Sequence, residues 1–336
     1  MKNGIVLVTT VLLGGLPIIA GAAQPSLYGK VNLSLENIDF EGASLAGPRV
    51  ADEWELNSNN SRIGIKGDFD LDVGNLKAVY LAEFGIDVDE GDSGGQTFSQ
   101  RNIYAGLQGA YGTVIAGKFD TPLKRIEGPV DQFNDLYGDL DTFIGGQNRS
   151  SNIIQYQTPL LWNGLTVKAA FSPAEQDDVD GDGVDEDGLA DTVSASLEWQ
   201  RERLYAALAY EKDQAARRSV DGIDRADLLR ASLSYRLGAL ELGALVQQAE
   251  DAAPNSDLED RSLLASSAWH FERLTLKAQG GRTKGEETGE KLTLWALGAD
   301  YRLGSGTVAY VYLSQLERDD AGTEDRAAGT GLAFKF

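Results

Sequence analysis

The chain has 336 residues, with 52 acidic and 30 basic side chains, one histidine and no cysteine. A formal charge of −22 excludes a nucleic-acid partner, whose phosphates require a basic surface. Zero cysteines exclude disulfides and thiol chemistry, and a lone histidine excludes a histidine-based metal centre.

The first residues set the compartment. Lys2 precedes an apolar run from Ile5 to Leu13, followed by the small residues Ala20-Gly21-Ala22-Ala23. This is the order of a secretory signal peptide, predicted over residues 1–22 with cleavage after Ala22 or Ala23. Gly14, Gly15 and Pro17 interrupt the stretch, which argues against a membrane anchor. Removing it takes away only Lys2 among the charged side chains, leaving 29 basic against 52 acidic. No later run approaches the roughly 20 apolar residues of a membrane helix.

Beyond the leader the hydrophobic period is two almost throughout. In 27–36, Leu27, Gly29, Val31, Leu33 and Leu35 alternate with Tyr28, Lys30, Asn32, Ser34 and Glu36, the pattern of a half-buried strand. Similar alternation at 61–69, 75–88, 97–109, 112–119, 152–158, 164–172, 191–200 and 203–212 predicts eight more strands. Seven follow at 226–237, 239–249, 261–271, 273–283, 290–303, 306–317 and 325–336, for 16 in all.

Connections alternate in length. Short turns stand at 72–75, 110–112, 162–164 and 303–306, between long acidic connections at 37–58, 173–190, 213–225 and 251–260. That sorting, with lipid-suited alternation, is the signature of a transmembrane β-barrel occupying residues 23–336 as one domain. Phe84, Phe119, Trp199, Trp269, Phe271 and Phe334 near strand ends are candidates for interfacial girdles. The last strand stops at Phe336 and must pair with the first if the sheet is to close without an edge.

One local motif has metal-ligand spacing. Asp178, Asp180 and Asp182 stand at the first, third and fifth positions of a calcium-type loop, with Gly183 at the sixth and Asp185 following. Position twelve is Leu189 rather than a bidentate Glu, so Ca²⁺ at this loop and a plain solvated acidic loop both stay open. No other cofactor is required. His270, on the wet face between Trp269 and Phe271, would have to carry any serine triad alone, so an enzyme is not expected.

In its mature part the chain resembles the Gram-negative general porins, 16-stranded trimeric barrels. The resemblance rests on Ser26-Leu27-Tyr28-Gly29-Lys30, Ser61-Arg62-Ile63-Gly64-Ile65-Lys66-Gly67 and Arg101-Asn102-Ile103-Tyr104-Ala105-Gly106-Leu107. It continues through Gly117-Lys118-Phe119-Asp120-Thr121-Pro122, the stretch from Arg149 to Pro159 and the terminal Phe336. The second half of the chain matches mainly as pattern.

This resemblance implies a water-filled channel in the outer membrane of a Gram-negative bacterium, passing small hydrophilic solutes by diffusion. It implies a homotrimer, contact with outer-membrane lipid and lipopolysaccharide, and Phe336 as the signal read by the barrel-assembly machinery. It further implies that the long segment 120–151 folds inward as a constriction loop carrying Glu127, Asp131, Asp135, Asp139 and Asp141. Facing it, by match and by parity, would be Lys30, Arg62, Lys66 and Lys118, with Arg101, Arg149 and Lys77 less firmly placed. The parity reading puts Val114, Ala116 and Lys118 on the lumen side. Loop acids and net charge together predict cation preference. Two alternatives are a channel preferring a sugar, amino acid or carboxylate, with Phe133, Tyr137 and Phe143 as either a stacking path or the loop's packing anchors, and a secreted calcium-dependent β-sandwich adhesin.

Overall fold

A computed structural model describes residues 25–41, 53–91, 95–173, 189–319 and 322–336. The signal-peptide region and Asp178, Asp180, Asp182 and Asp185 lie outside them.

The described chain is almost wholly antiparallel sheet. Its first half contains β1 (Ser26–Glu41), β2 (Glu53–Ser58), β3 (Arg62–Asp70), β4 (Lys77–Ile86), β5 (Phe98–Gly109), β6 (Gly112–Asp120), β7 (Arg149–Gln157) and β8 (Leu165–Ser172). The second half contributes β9 (Thr192–Arg201), β10 (Leu204–Ala215), β11 (Arg225–Leu237), β12 (Leu240–Asp251) and β13 (Glu259–His270). It ends with β14 (Leu274–Gly285), β15 (Lys291–Arg302), β16 (Thr307–Arg318) and β17 (Thr323–Lys335).

Each strand pairs with its sequence neighbour, and β1 pairs with β17 from Lys30↔Lys335 to Glu41↔Glu324. The sheet therefore closes on itself. Past β17, Phe336 exchanges two backbone hydrogen bonds with Gly29, at 3.0 and 3.1 Å. Closure removes the free edge that lipid could not solvate, and it rules out the two-sheet sandwich that the adhesin alternative required.

Both β2 and β3 pair with β1, at Leu33↔Ser58 and Lys30↔Arg62, so they are two halves of one stave and the barrel has 16. The interruption falls at Asn59-Asn60-Ser61, where Asn60 adopts the left-handed region at φ 52°. The alternation alone assigns all of 37–58 to a connection. In the structure β1 runs on to Glu41 and the second stave begins at Glu53. Trp54 and Leu56 already alternate with Glu53 and Glu55 there, but the polar run Asn57–Ser61 breaks the pattern.

The outer face carries the exposed apolar residues: Leu27 and Leu35 lie on it in β1, with the half-buried Val31 and Leu33 on the same face, and Leu242, Val246, Leu263, Leu297 and Leu313 continue it. Trp269 and Phe271 stack near a short turn, and Phe334 lies beside Phe336, both pairs suiting an interfacial girdle. Phe119 departs from the girdle expectation. It is 4% exposed, packed with Ile153 and Ala170 and edge-on to Tyr104.

Candidate functional site: a loop across the barrel

Between β6 and β7 the chain leaves the wall for residues 121–148. Thr121 begins this segment by accepting from Lys124 N at 3.3 Å, and Pro122 starts the single turn α1 (Pro122–Arg125). Proline suits that position because its missing N–H would have no helical partner.

The segment then touches strands around much of the circumference. Tyr205 on β10 donates to Ile126 O at 3.3 Å, Gln279 on β14 reaches Asp131 at 3.0 Å, Tyr137 donates to Asp325 on β17, and Asp135 meets Lys30 on β1. A 28-residue segment can reach β1, β10, β14 and β17 of one closed sheet only by crossing its interior.

Apolar burial holds it there. Val130, Phe133, Leu136, Leu140, Phe143 and Ile144 pack on Leu245, Leu264, Leu294, Tyr312 and Leu316 of the inner wall. Leu123 and Ile126 pack on Ala207, Ala209 and Leu228. Each large side chain so buried is worth about 1.5–3 kcal/mol over exposure. Small inner-wall residues make room: a Cβ on Gly243 would lie 3.1 Å from Val130 Cα, and one on Gly298 would lie 2.9 Å from the Phe133 ring. Phe133 and Phe143 are 0% and 1% exposed, and Tyr137 is buried, so of the two roles open to these rings the structure favours packing over a stacking path. They are the loop's anchors.

Arg230 on β11 is a further anchor, and strand periodicity gave it no special mark. It is fully buried, donating to Gly145 O at 2.7 Å, to Gln247 Oε1 at 2.8 Å and to Leu123 O at 3.5 Å. The Gln147 amide, oriented to donate to Glu127 at 2.9 Å, accepts from Arg230 Nη1 at 3.0 Å. One guanidinium thus ties both roots of the loop to the wall, using the fork of donors that makes Arg suited to such sites. A cation at this inward position could only be recognised once the loop was known to cover it.

The five loop acids divide. Asp131 accepts from Phe133 N and from Gln279, both at 3.0 Å, and Asp139 accepts from Asp135 N at 2.7 Å and Asp141 N at 2.9 Å. Both are buried, with carboxylates spent on the loop's own backbone and on the wall. Their expected place on an open passage is corrected: they fold the loop. Asp141 is exposed, and its carbonyl accepts from Arg218 in the connection after β10 at 3.2 Å. Glu127 is half-buried. Burial and then Asp131 push its carboxyl up to about 7, partly offset by Arg230 and Lys124.

Only Asp135 faces the opposite wall as an ion pair, with Lys30 at 2.6 Å and Arg62 at 3.3 Å. Burial opposes its ionisation, yet Lys30 and then Arg62 outweigh that and hold the carboxyl below its usual range.

On that wall Glu83 pairs with Arg101 at 2.8 Å and with Arg62 at 3.8 Å, and accepts from Tyr28 Oη at 3.0 Å. Asp120 pairs with Arg149 at 3.0 Å and Lys124 at 3.5 Å. Arg101, of ambiguous parity in the sequence, points inward because the β4–β5 register shifts between Ala82 and Phe84. The bulge sets Arg101 and Asn102 together against Glu83. Arg101 also donates to Asn60 Oδ1 at 3.0 Å, and Arg62 donates to Asn60 O at 3.1 Å, so the break in the second stave helps aim both. Lys66 lies on the inner face below them, 5.0 Å from the Tyr28 ring centroid. Lys77 pairs with Asp68 at 2.8 Å.

Lys118 is a correction. It stands opposite Ile103 in the β5–β6 register and shares the face of the exposed Val114 and Ala116. Thr113 and Ile115 are the β6 residues that line the lumen, together with Gln155 of β7. Strand parity misleads on β6 because its inner face carries the apolar Ile115 and Phe119.

Comparison with known proteins agrees with this architecture. The family described as Gram-negative porin matches residues 9–321. The chain is 24% identical to the major outer membrane protein P.IB of Neisseria lactamica over the full length of both. It is 32% identical to a P.IA protein of Neisseria meningitidis serogroup C over 50% of this chain and 46% of that one. Among solved structures, an anion-selective porin from Comamonas acidovorans superposes with a TM-score of 0.73 at 21% identity, covering 93% of this chain and 99% of the other. A Salmonella typhi OmpF complex gives 0.67 at 16%, covering 93% and 97%. The inward loop, the closed 16-stave wall and a family match over nearly the whole sequence converge: this chain belongs to the Gram-negative porins, the channel-forming barrels of the outer membrane.

Proposed function

We propose that the chain works as a passive diffusion channel for small hydrophilic solutes, assembled as a homotrimer, and that its constriction prefers anions. The observation that carries this is a charge count where the inward loop meets the wall it faces. Five cations, Lys30, Arg62, Arg101, Lys124 and Arg149, share three carboxylates, Glu83, Asp120 and Asp135. Arg125, exposed on the loop, and Lys66 add positive charge.

The cation preference expected from composition rested on five loop acids. Two are spent inside the loop, one is paired with the wall, Glu127 is pushed up to about 7 and so carries only part of a charge near neutrality, and Asp141 is the exposed carboxylate that remains. Much of the acidic excess lies in the connections between strands, as with Asp87, Asp89 and Glu90 after β4. Charges more than a Debye length away, about 10 Å at 0.1 M salt, are largely screened from the passage. Local charge therefore outweighs the global sum.

The homotrimer reading is supported by the family and by the trimer form of Vibrio cholerae OmpT among the structural neighbours. The deciding experiment is reversal potential across a planar bilayer under a KCl gradient. An anion-favouring potential with conductance steps in threes supports the reading, and a cation-favouring one overturns its selectivity.

A further inference from the structure

The connection between β10 and β11 turns inward, and its residues 216–223 lie along the second root of the constriction loop. Gly146 N donates to Ala216 O at 3.0 Å, Arg218 Nε donates to Asp141 O at 3.2 Å, and Arg217 Nε donates to Asn148 Oδ1 at 2.8 Å. The approach is backbone to backbone, since a Cβ on Gly145 would collide with the Ala216 and Arg218 carbonyls. Val220 joins the buried cluster of Phe143, Ile144, Leu264 and Leu292, and Ala216 and Ile223 join that of Leu123 and Leu228.

Two carboxylates fix the far side of this segment. Asp260, on the inner face of β13 with Ser262 and Leu264, accepts from Val220 N at 2.7 Å and from Asp221 N at 3.2 Å. Asp221 then reaches the β14–β15 connection, accepting from Glu287 N at 3.0 Å, from Thr288 N at 3.3 Å and from the Thr288 hydroxyl. A Cβ on Gly285 would collide with that carboxylate. One stretch of chain thus joins the outer surface at 286–290 to loop residues 141–148. Its apolar hold on the loop is buried, whereas the bonds at Asp221 are exposed to water and form the weaker end.

We propose that residues 216–223 are a gating strap: latched at Asp221 they hold the second root of the constriction loop still, and unlatched they let it move in the current path. Displacement of the β14–β15 connection at the outer surface thereby changes conduction without touching the ion-paired wall at Asp135. This inference rests on the diffusion-channel reading and adds a control point to it.

The test compares single-channel currents of the intact protein with those of Asp221→Ala and Asp224→Ala. Asp224 is exposed in the same connection, so its replacement removes an equal charge and leaves the latch. Asp221→Ala is expected to switch between open substates at least about tenfold more often than the parent, and Asp224→Ala to behave as the parent does. The chain has no cysteine, so Ala216→Cys supplies a single thiol at a position 1% exposed. A water-soluble maleimide should label that thiol at least about tenfold faster once Asp221→Ala is added. Folding of every variant is checked by heat-modifiable gel migration. Unchanged switching or unchanged labelling in folded Asp221→Ala would overturn the strap and leave the diffusion reading standing. So would an equal rise in switching in Asp224→Ala. Absence of any conductance from folded parent protein would overturn the channel reading and the gate with it.

Discussion

Lys30 Nζ donates to Asp135 Oδ2 at 2.6 Å, joining the first strand to the tip of a loop 105 residues later. Arg62 reaches the same oxygen at 3.3 Å, so one carboxylate is clamped by cations from two adjacent staves. The pair fixes how far the loop stands off this wall, and it neutralises the one loop acid that faces the wall as an ion pair. Both consequences bear on conduction.

Replacing Asp135 with Asn should raise anion preference, because Lys30 and Arg62 lose their shared counter-charge. A unit charge a few ångströms away in water is worth about 1 kcal/mol, so the chloride-to-potassium permeability ratio should rise by a factor of roughly two to five. Reversal potentials of the variant and the parent under one gradient give the comparison.

The same carboxyl makes the loop sensitive to acid. Its value in the folded protein is depressed, so the stabilisation it brings is complete above the ordinary value near 4 and is lost as pH falls through the folded value. Open-channel current noise should therefore increase below about pH 4, and in the Asn variant that acid-dependent rise should be absent.

Glu127 provides a second pH dependence of opposite origin. Its carboxyl, raised to about 7, is neutral below that value and negative above it. The anion preference should decline as pH rises from 6 to 8, with Arg230 and Lys124 moderating the change. In Glu127→Gln the permeability ratio should be flat over that interval. A step that persists in the variant assigns the titration to another group.

Arg230→Met should loosen the loop at both roots. It leaves the Gly145 carbonyl and Gln247 without their donor, and breaking such a buried charged network typically costs about 3–5 kcal/mol. The expected result is a barrel that still folds, since the strand ladder is untouched, but with larger and noisier unit conductance. Limited proteolysis should cut within 121–148 in the variant and spare the parent.

Phe336 pairs with Gly29 through both backbone groups. Removing Phe336 should lower the temperature at which the folded form converts on a gel, because two closing hydrogen bonds and an aromatic at the seam are lost. Gly29→Ala should do likewise, since the added Cβ would stand 2.8 Å from the Arg62 carbonyl oxygen and against the Phe336 ring. If refolding in detergent is normal for the truncated chain while export in cells fails, the residue acts as an assembly signal rather than as a closure element.

Much of the wall was legible because one face of each stave meets lipid, which enforces a period of two. Legibility failed where that rule gives way. On β6 the inner face carries Ile115 and Phe119, so parity put Lys118 on the wrong side. At Arg101 a bulge broke the alternation, and at Asn57–Ser61 a stave changed register beneath a polar run that reads as loop. The loop's position followed from the family resemblance, but the fates of its acids did not. Whether an Asp caps a backbone N–H, as Asp139 does, or meets a cation, as Asp135 does, depends on contacts made between distant segments. Arg230 was silent for the same reason.

If local charge at the constriction outweighs the acidic sum of the chain, chloride carries more of the current than potassium. Zero-current potential across a bilayer holding the folded protein, with about a tenfold KCl gradient at neutral pH, reads that balance, since chloride and potassium differ little except in sign. A potential of the sign set by chloride permeation, weakening as salt rises, is the predicted result. A potential set by potassium would show that carboxylates govern the passage and would overturn the proposed anion preference.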